Sequence, residues 1–168
     1  MGFFCGAVGA LIHAIGFLQE ITLWGGGVFT QQSAGYQVIA SDASSNRQGG
    51  VALCRKEHDA YELEEWRFFG PNVLVFRLVT GGKDFYCVGC YIPPSEEDQS
   101  TLDNVRRAQQ QCPEKFELLL FGDLNIDLDA PRDTREEIIA EQCDYWKLTC
   151  MTTMFKQRRT SRQVKGRW

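Results

Sequence analysis

Residues Leu118 to Asn125 read Leu-Leu-Leu-Phe-Gly-Asp-Leu-Asn, and no other stretch restricts the fold as much. An apolar run of strand length stops abruptly at Gly-Asp-x-Asn, so a buried strand carries a carboxylate and a carboxamide to its C-terminal rim. Leu124, between them, points back into the core by alternation. Asp123 and Asn125 are therefore expected on one face, two strand rises or roughly 6–7 Å apart. A carboxylate there can hold a water or a metal, and a carboxamide can donate to an oxyanion. A strand that ends in an Asp/Asn-rich turn explains the same residues without any chemistry, and this stretch alone does not separate the two.

The surrounding pattern is strand-rich. Strands are expected at Ile15–Gln19, Tyr36–Ala40, Gly50–Arg55, Tyr61–Phe69, Val73–Thr80, Phe85–Ile92 and Phe116–Phe121. Gly81-Gly82-Lys83-Asp84 supplies a hairpin turn, and Pro93-Pro94 stops the strand before it. From Glu97 to Gln111 the chain is polar, with Leu102, Val105 and Ala108 at three-residue spacing, which predicts an amphipathic helix lying on the sheet. A second helix is expected after the turn Asp129–Asp133, opened by a capping box at Thr134 and Glu137. Asp127, Asp129 and Asp133 lack the Gly and bidentate Glu of a calcium loop, so turn and capping roles account for them. Strands with helices on their outer faces give an α/β sandwich.

With 168 residues, 43% of them hydrophobic, the chain can bury one sizeable core, and one domain over residues 1–155 is expected. The net charge is −4, but Lys156, Arg158, Arg159, Arg162, Lys165 and Arg167 make residues 156–168 a basic tail without acidic residues. The remainder is strongly acidic, unlike a general nucleic-acid-binding surface. The tail reads first as a solvated basic end, and otherwise as a phosphate contact. Seven cysteines are scattered rather than framed. Cys87 and Cys90 form a CxxC, but three positions apart in a strand they face opposite sides and cannot share a metal. Core cysteines kept reduced imply an intracellular compartment, nuclear or cytoplasmic. Phe3 to Leu18 is apolar apart from His13, yet short for a membrane span and without the basic start of a signal peptide. Ala7–His13 is read as the remnant of a helix leading into the first strand, a membrane segment being the alternative. No stable membrane association is expected.

Four segments together carry a resemblance. Gly16-Phe17-Leu18-Gln19-Glu20, Gly49-Gly50-Val51-Ala52-Leu53, Cys90-Tyr91-Ile92-Pro93-Pro94 and Gly122-Asp123-Leu124-Asn125 occur in the order found in the endonuclease/exonuclease/phosphatase superfamily. That is the fold of abasic-site endonucleases, DNase I-like enzymes and the endonuclease domains of LINE-like retrotransposons. The resemblance runs from about Ile15 to Lys156 and is strongest to the retroelement branch, through Asp127-Leu128-Asp129-Ala130-Pro131-Arg132-Asp133. It implies a DNase I-like four-layered α/β sandwich, incomplete here, and metal-dependent phosphodiester hydrolysis with DNA as substrate.

The resemblance also implies roles. Glu20 matches the glutamate that binds Mg²⁺ (or Mn²⁺), and Asp123 matches the general base. Asn125 matches the neighbour that helps hold the phosphoryl group, and Tyr91 the tyrosine whose hydroxyl contacts the scissile phosphate. On physics alone Glu20 and Tyr91 are ordinary strand-end residues. Other parts of the pattern have no counterpart. No Asn precedes Asn46, and no His follows His58, so the family's first-strand Asn and terminal Asp-His pair are missing. Both outer strands of the paired sheets are expected to be missing too, leaving exposed edges. The expectation is a retroelement-type endonuclease fold, truncated at both ends relative to the family, with impaired or no activity. The alternative is a noncatalytic nucleic-acid- or protein-binding remnant of that fold.

Overall fold

The computed structural model describes residues 15–21, 29–33, 35–41, 49–56, 62–94, 100–127 and 130–148. The chain divides into two compact units, Met1–Ile126 and Asp127–Trp168. The expected N-terminal helix remnant, His13, His58, Gly25-Gly26-Gly27 and the basic tail lie outside the described residues.

The first unit holds eight described strands in two sheets. β1 (Ile15–Gln19), β2 (Phe29–Ser33), β3 (Tyr36–Ala40) and β4 (Val51–Lys56) form an antiparallel sheet in the order β1-β4-β3-β2. β5 (Glu62–Phe68), β6 (Val73–Thr80), β7 (Lys83–Tyr91) and β8 (Glu117–Asp123) form the second, in that order. Within it β7 and β8 run parallel, joined through the helix α1 (Ser100–Gln109). Seven of these strands fall where the pattern predicts, within two residues at each end. β2 does not, because Phe-Thr-Gln-Gln-Ser has neither an apolar run nor clean alternation; it forms because β3 presents an edge to it.

The apolar runs of β6 and β7 are explained by burial on both faces. Leu74, Phe76, Leu78, Phe85 and Cys87 pack between the sheets with Ile39, Val51 and Leu53. The alternate residues Val73, Val75, Tyr86, Val88 and Cys90 are equally buried, and the Tyr86 hydroxyl donates to the Ala108 carbonyl of α1 at 3.0 Å. α1 turns Leu102, Val105 and Ala108 inward, as its spacing predicts. Helix, sheet and sheet are thus three layers of the first unit. Cys87 and Cys90 sit on opposite faces of β7, and neither forms a disulfide; burial pushes the Cys87 thiol far up from its ordinary value.

β8 differs from the expectation of a fully buried strand. Glu117 to Phe121 are only half-buried, because among the described residues β8 pairs with β7 alone. Among the described residues β1 is likewise an edge, paired only with β4. Phe121 of β8 meets Phe17 of β1 edge to face at 5.1 Å and Phe76 at 5.8 Å, closing the core beside these two edges. Arg77, the charged residue within β6, is satisfied by Glu64 at 2.7 Å and Asp84 at 2.8 Å and lies over the Phe116 ring.

The second unit contains α2 (Thr134–Tyr145). Its N-cap is Asp133, whose carboxylate accepts the Glu136 N–H at 2.9 Å, so the expected Thr134–Glu137 capping box is displaced by one residue. Asp is the better acceptor at that position, and Glu136 turns back to the Arg132 backbone and guanidinium instead. Asp127 accepts from the Ala130 N–H, a turn role, as expected. Among the described residues no helix is long and apolar enough to cross a membrane.

Two outcomes follow from this packing. Phe76→Ala, at a side chain with no exposure, should lose about 3–5 kcal/mol in urea denaturation, against less than about 1 kcal/mol for half-exposed Trp66→Ala. The hydrogen bond and charge of Arg132 hold the Glu136 carboxyl below its ordinary value of 4.5. The support this gives α2 is complete above that value and is lost as pH falls through the lowered one. An acid titration followed by NMR of α2 amides should show this loss, and Arg132→Ala should abolish it.

Candidate active site

The four residues singled out by sequence come from three strand ends at one rim of the first unit. β1 ends at Gln19, opposite Val51, and Glu20 then turns with φ +56°. A left-handed backbone is costly for Glu, and such strain persists only where the surroundings hold it. Here the Ile21 N–H donates to the Gly50 carbonyl at 3.2 Å, fixing the turn that directs Glu20 outward.

Tyr91 is the last residue of β7. Its ring is buried at 5% exposure, while its hydroxyl donates to Glu20 Oε1. The two residues are 71 positions apart, and the sequence offered no physical link between them. Glu20 Oε2 has no partner among the described residues. A buried phenol held against an exposed carboxylate fixes the direction of both groups.

β8 lies parallel to β7 in a register that sets Asp123 beside Tyr91. The Ile92 N–H donates to the Asp123 carbonyl at 2.9 Å, extending the ladder by one bond. Gly122, with φ +137°, permits this approach: a Cβ there would sit 1.7 Å from the Cys90 carbonyl oxygen. Only glycine fits between the apolar strand and the acid.

The relation of Asp123 to Asn125 is not the alternation expected. The strand ends at Asp123, and Asn125 is left-handed with φ +51°, a conformation Asn tolerates. The turn brings the Asn125 N–H onto Asp123 Oδ1 at 2.9 Å, and Asn125 Nδ2 donates to the Ile92 carbonyl at 3.0 Å. Asn125 is buried at 7% exposure and braces the loop, while Asp123 is exposed and its Oδ2 has no partner among the described residues.

Sequence reading missed the polar residues that hold these ends in place. Ser41 Oγ accepts the Val51 N–H at 2.9 Å and donates to the Pro71 carbonyl at 2.5 Å. Asn72, 7% exposed, lies in the turn between β5 and β6. As part of Gly70-Pro71-Asn72 it reads as ordinary turn chemistry, and nothing in the pattern marks it as buried.

Among the described residues no group of three or more His, Cys, Asp or Glu is placed to hold a metal ion. The donor set is nonetheless compatible with Mg²⁺, which takes one or two carboxylates and keeps several waters. Glu20 offers an exposed carboxylate with one oxygen unengaged among the described residues.

No family model and no curated protein matches the sequence. Solved structures do. The endonuclease domain of TRAS1, a telomere-specific non-LTR retrotransposon, has a TM-score of 0.60 at 20% identity over 83% of this chain. A humanized D. rerio TDP2 has a TM-score of 0.51 at 16% identity over 86% of it. The chain spans 63% of the length of the first structure and 69% of the second. At such identities the likeness is one of fold.

Gly122→Ala should lose more than about 2 kcal/mol in denaturant unfolding, since the Cys90 carbonyl cannot move without breaking the β7–β8 ladder. The same substitution at Gly35, where a Cβ meets nothing within 4 Å, should cost far less despite its positive φ.

Proposed function

From the DNase I-like fold of the endonuclease/exonuclease/phosphatase superfamily, which this chain shares with both solved structures, we propose metal-dependent phosphodiester hydrolysis, with DNA as substrate, in the manner of a retroelement endonuclease. The observation that carries this reading is the convergence of Glu20, Tyr91 and Asp123 at one rim through the Glu20–Tyr91 hydrogen bond and the Tyr91–Asp123 register.

Hydrolysis joins a water oxygen to phosphorus and breaks the bond to one ester oxygen, which leaves with a proton. The phosphodiester is anionic, so its charge must be neutralised before water can attack. Asp123 is exposed, with one oxygen held by the Asn125 N–H and the other without a partner among the described residues, an arrangement that suits a general base. Glu20 would hold Mg²⁺ or Mn²⁺, a hard cation that, when bound, neutralises phosphoryl charge. Tyr91 orients the Glu20 carboxylate and presents its hydroxyl at the same rim. Asn125 fixes the loop that aims Asp123, through its backbone N–H on the carboxylate and its carboxamide on the Ile92 carbonyl.

The test is nicking of supercoiled plasmid DNA with Mg²⁺. Nicking that stops with EDTA and falls about 100-fold or more in Asp123→Ala, and comparably in Glu20→Ala, is the expected result. Folded protein that does not nick, or nicking indifferent to both substitutions, would sink the proposal and favour a noncatalytic remnant.

A further inference from the structure

We propose that Asn72 is a positioning residue that sets the Glu20–Tyr91 pair, acting on both strand ends from a turn that touches neither carboxylate nor phenol. The inference rests on the assignment of Glu20 and Tyr91 to the site.

Three bonds leave Asn72 in three directions. Its backbone carbonyl accepts the Tyr91 N–H at 2.9 Å, which anchors the end of β7. Its Oδ1 accepts the Gly50 N–H at 2.9 Å. Its Nδ2 donates to Thr101 Oγ1 of α1 at 3.3 Å. Gly50 passes the restraint on, because its own carbonyl accepts the N–H of Ile21, the residue after Glu20. One side chain on the second sheet therefore holds the turn of the first sheet from which Glu20 projects, while the same residue's backbone holds Tyr91.

The surroundings leave this side chain little freedom. Asn72 is 7% exposed, so an amide that lost its partners would stay desolvated. Gly49 has φ +90°, and a Cβ there would come within 2.2 Å of Asn72 Oδ1, so glycine is the residue that lets the two turns meet. Ser41 grips the preceding Pro71 carbonyl from the first sheet, fixing the turn on its other side. Buried amides that bridge two elements serve as spacers, and here the spacing is that between the first-sheet turn at Glu20 and the end of β7 at Tyr91.

A positioning role is separable from a stabilising one by the energetic coupling of Glu20 to Tyr91. A double-mutant cycle of Glu20→Ala and Tyr91→Phe, read by urea unfolding of the full chain, measures it. In the natural chain the unfolding constants should depart from additivity by roughly threefold or more. In Asn72→Ala, and in Asn72→Ser should the alanine variant not fold, the departure should vanish. Thr101→Val removes the third Asn72 contact without touching Gly50 or Tyr91 and should preserve the coupling whatever it does to overall stability. Coupling that survives in the Asn72 variants, that disappears equally in Thr101→Val, or that is absent in the natural chain would overturn the proposal. The cycle uses neither metal nor DNA, so a chain with the coupling and no nicking would fail the hydrolytic reading while leaving the role of Asn72 standing.

Discussion

Burial of β6 and β7 on both faces is the constraint on which the first unit depends. One face of this pair meets β1 and β4, the other meets α1, and side chains such as Phe76 and Val75 have essentially no exposure. Strands buried on two sides must satisfy every backbone group within the ladder, which fixes register as well as position. Tyr91, at the end of β7, inherits that fixity. Its backbone is tied to Asn72 and its ring lies in the core, so only the hydroxyl reaches the rim.

The rim then combines two kinds of group. Tyr91 and Asn125 are buried and fully directed, whereas Glu20 and Asp123 are exposed carboxylates aimed by them. Rigid neutral groups orienting solvated charged ones avoid the desolvation cost of burying the charges themselves. The positive φ of Glu20 belongs to the same arrangement, because a regular strand end would carry the side chain away from Tyr91.

Strand positions were legible in the sequence because β6, β7 and β8 are apolar runs ended by Gly or Pro, and α1 has its apolar residues at helical spacing. Of the four candidate site residues, Asp123 and Asn125 stood out by the apolar run that ends in Gly-Asp-x-Asn, whereas Glu20 and Tyr91 were legible only as part of a family pattern, since physical reasoning alone left them as ordinary strand ends. Geometry between them was not legible. Alternation placed Asp123 and Asn125 two strand rises apart, but Asn125 adopts a left-handed turn and bonds directly to Asp123, an option that Asn uses more readily than most residues. Asn72 and Ser41 escaped because burial of a turn residue is decided by what packs over the turn. β2 escaped because its pairing comes from its neighbour's edge, and the N-cap of α2 because Asp133 and Thr134 are adjacent candidates and the stronger acceptor prevails.

The sequence separations across the rim have a consequence for assembly. The Glu20–Tyr91 bond closes a loop of 71 residues, and the Asn125–Ile92 bond closes one of 33 through a parallel crossover. Neither contact can be made by a locally folded hairpin, and parallel pairing is among the slower steps available to a chain. The β6–β7 hairpin, with its two-residue Gly81-Gly82 turn, can form early, but by itself it holds only Tyr91. The arrangement of carboxylates and phenol is therefore completed only when both sheets have met, which leaves partly folded chains without it.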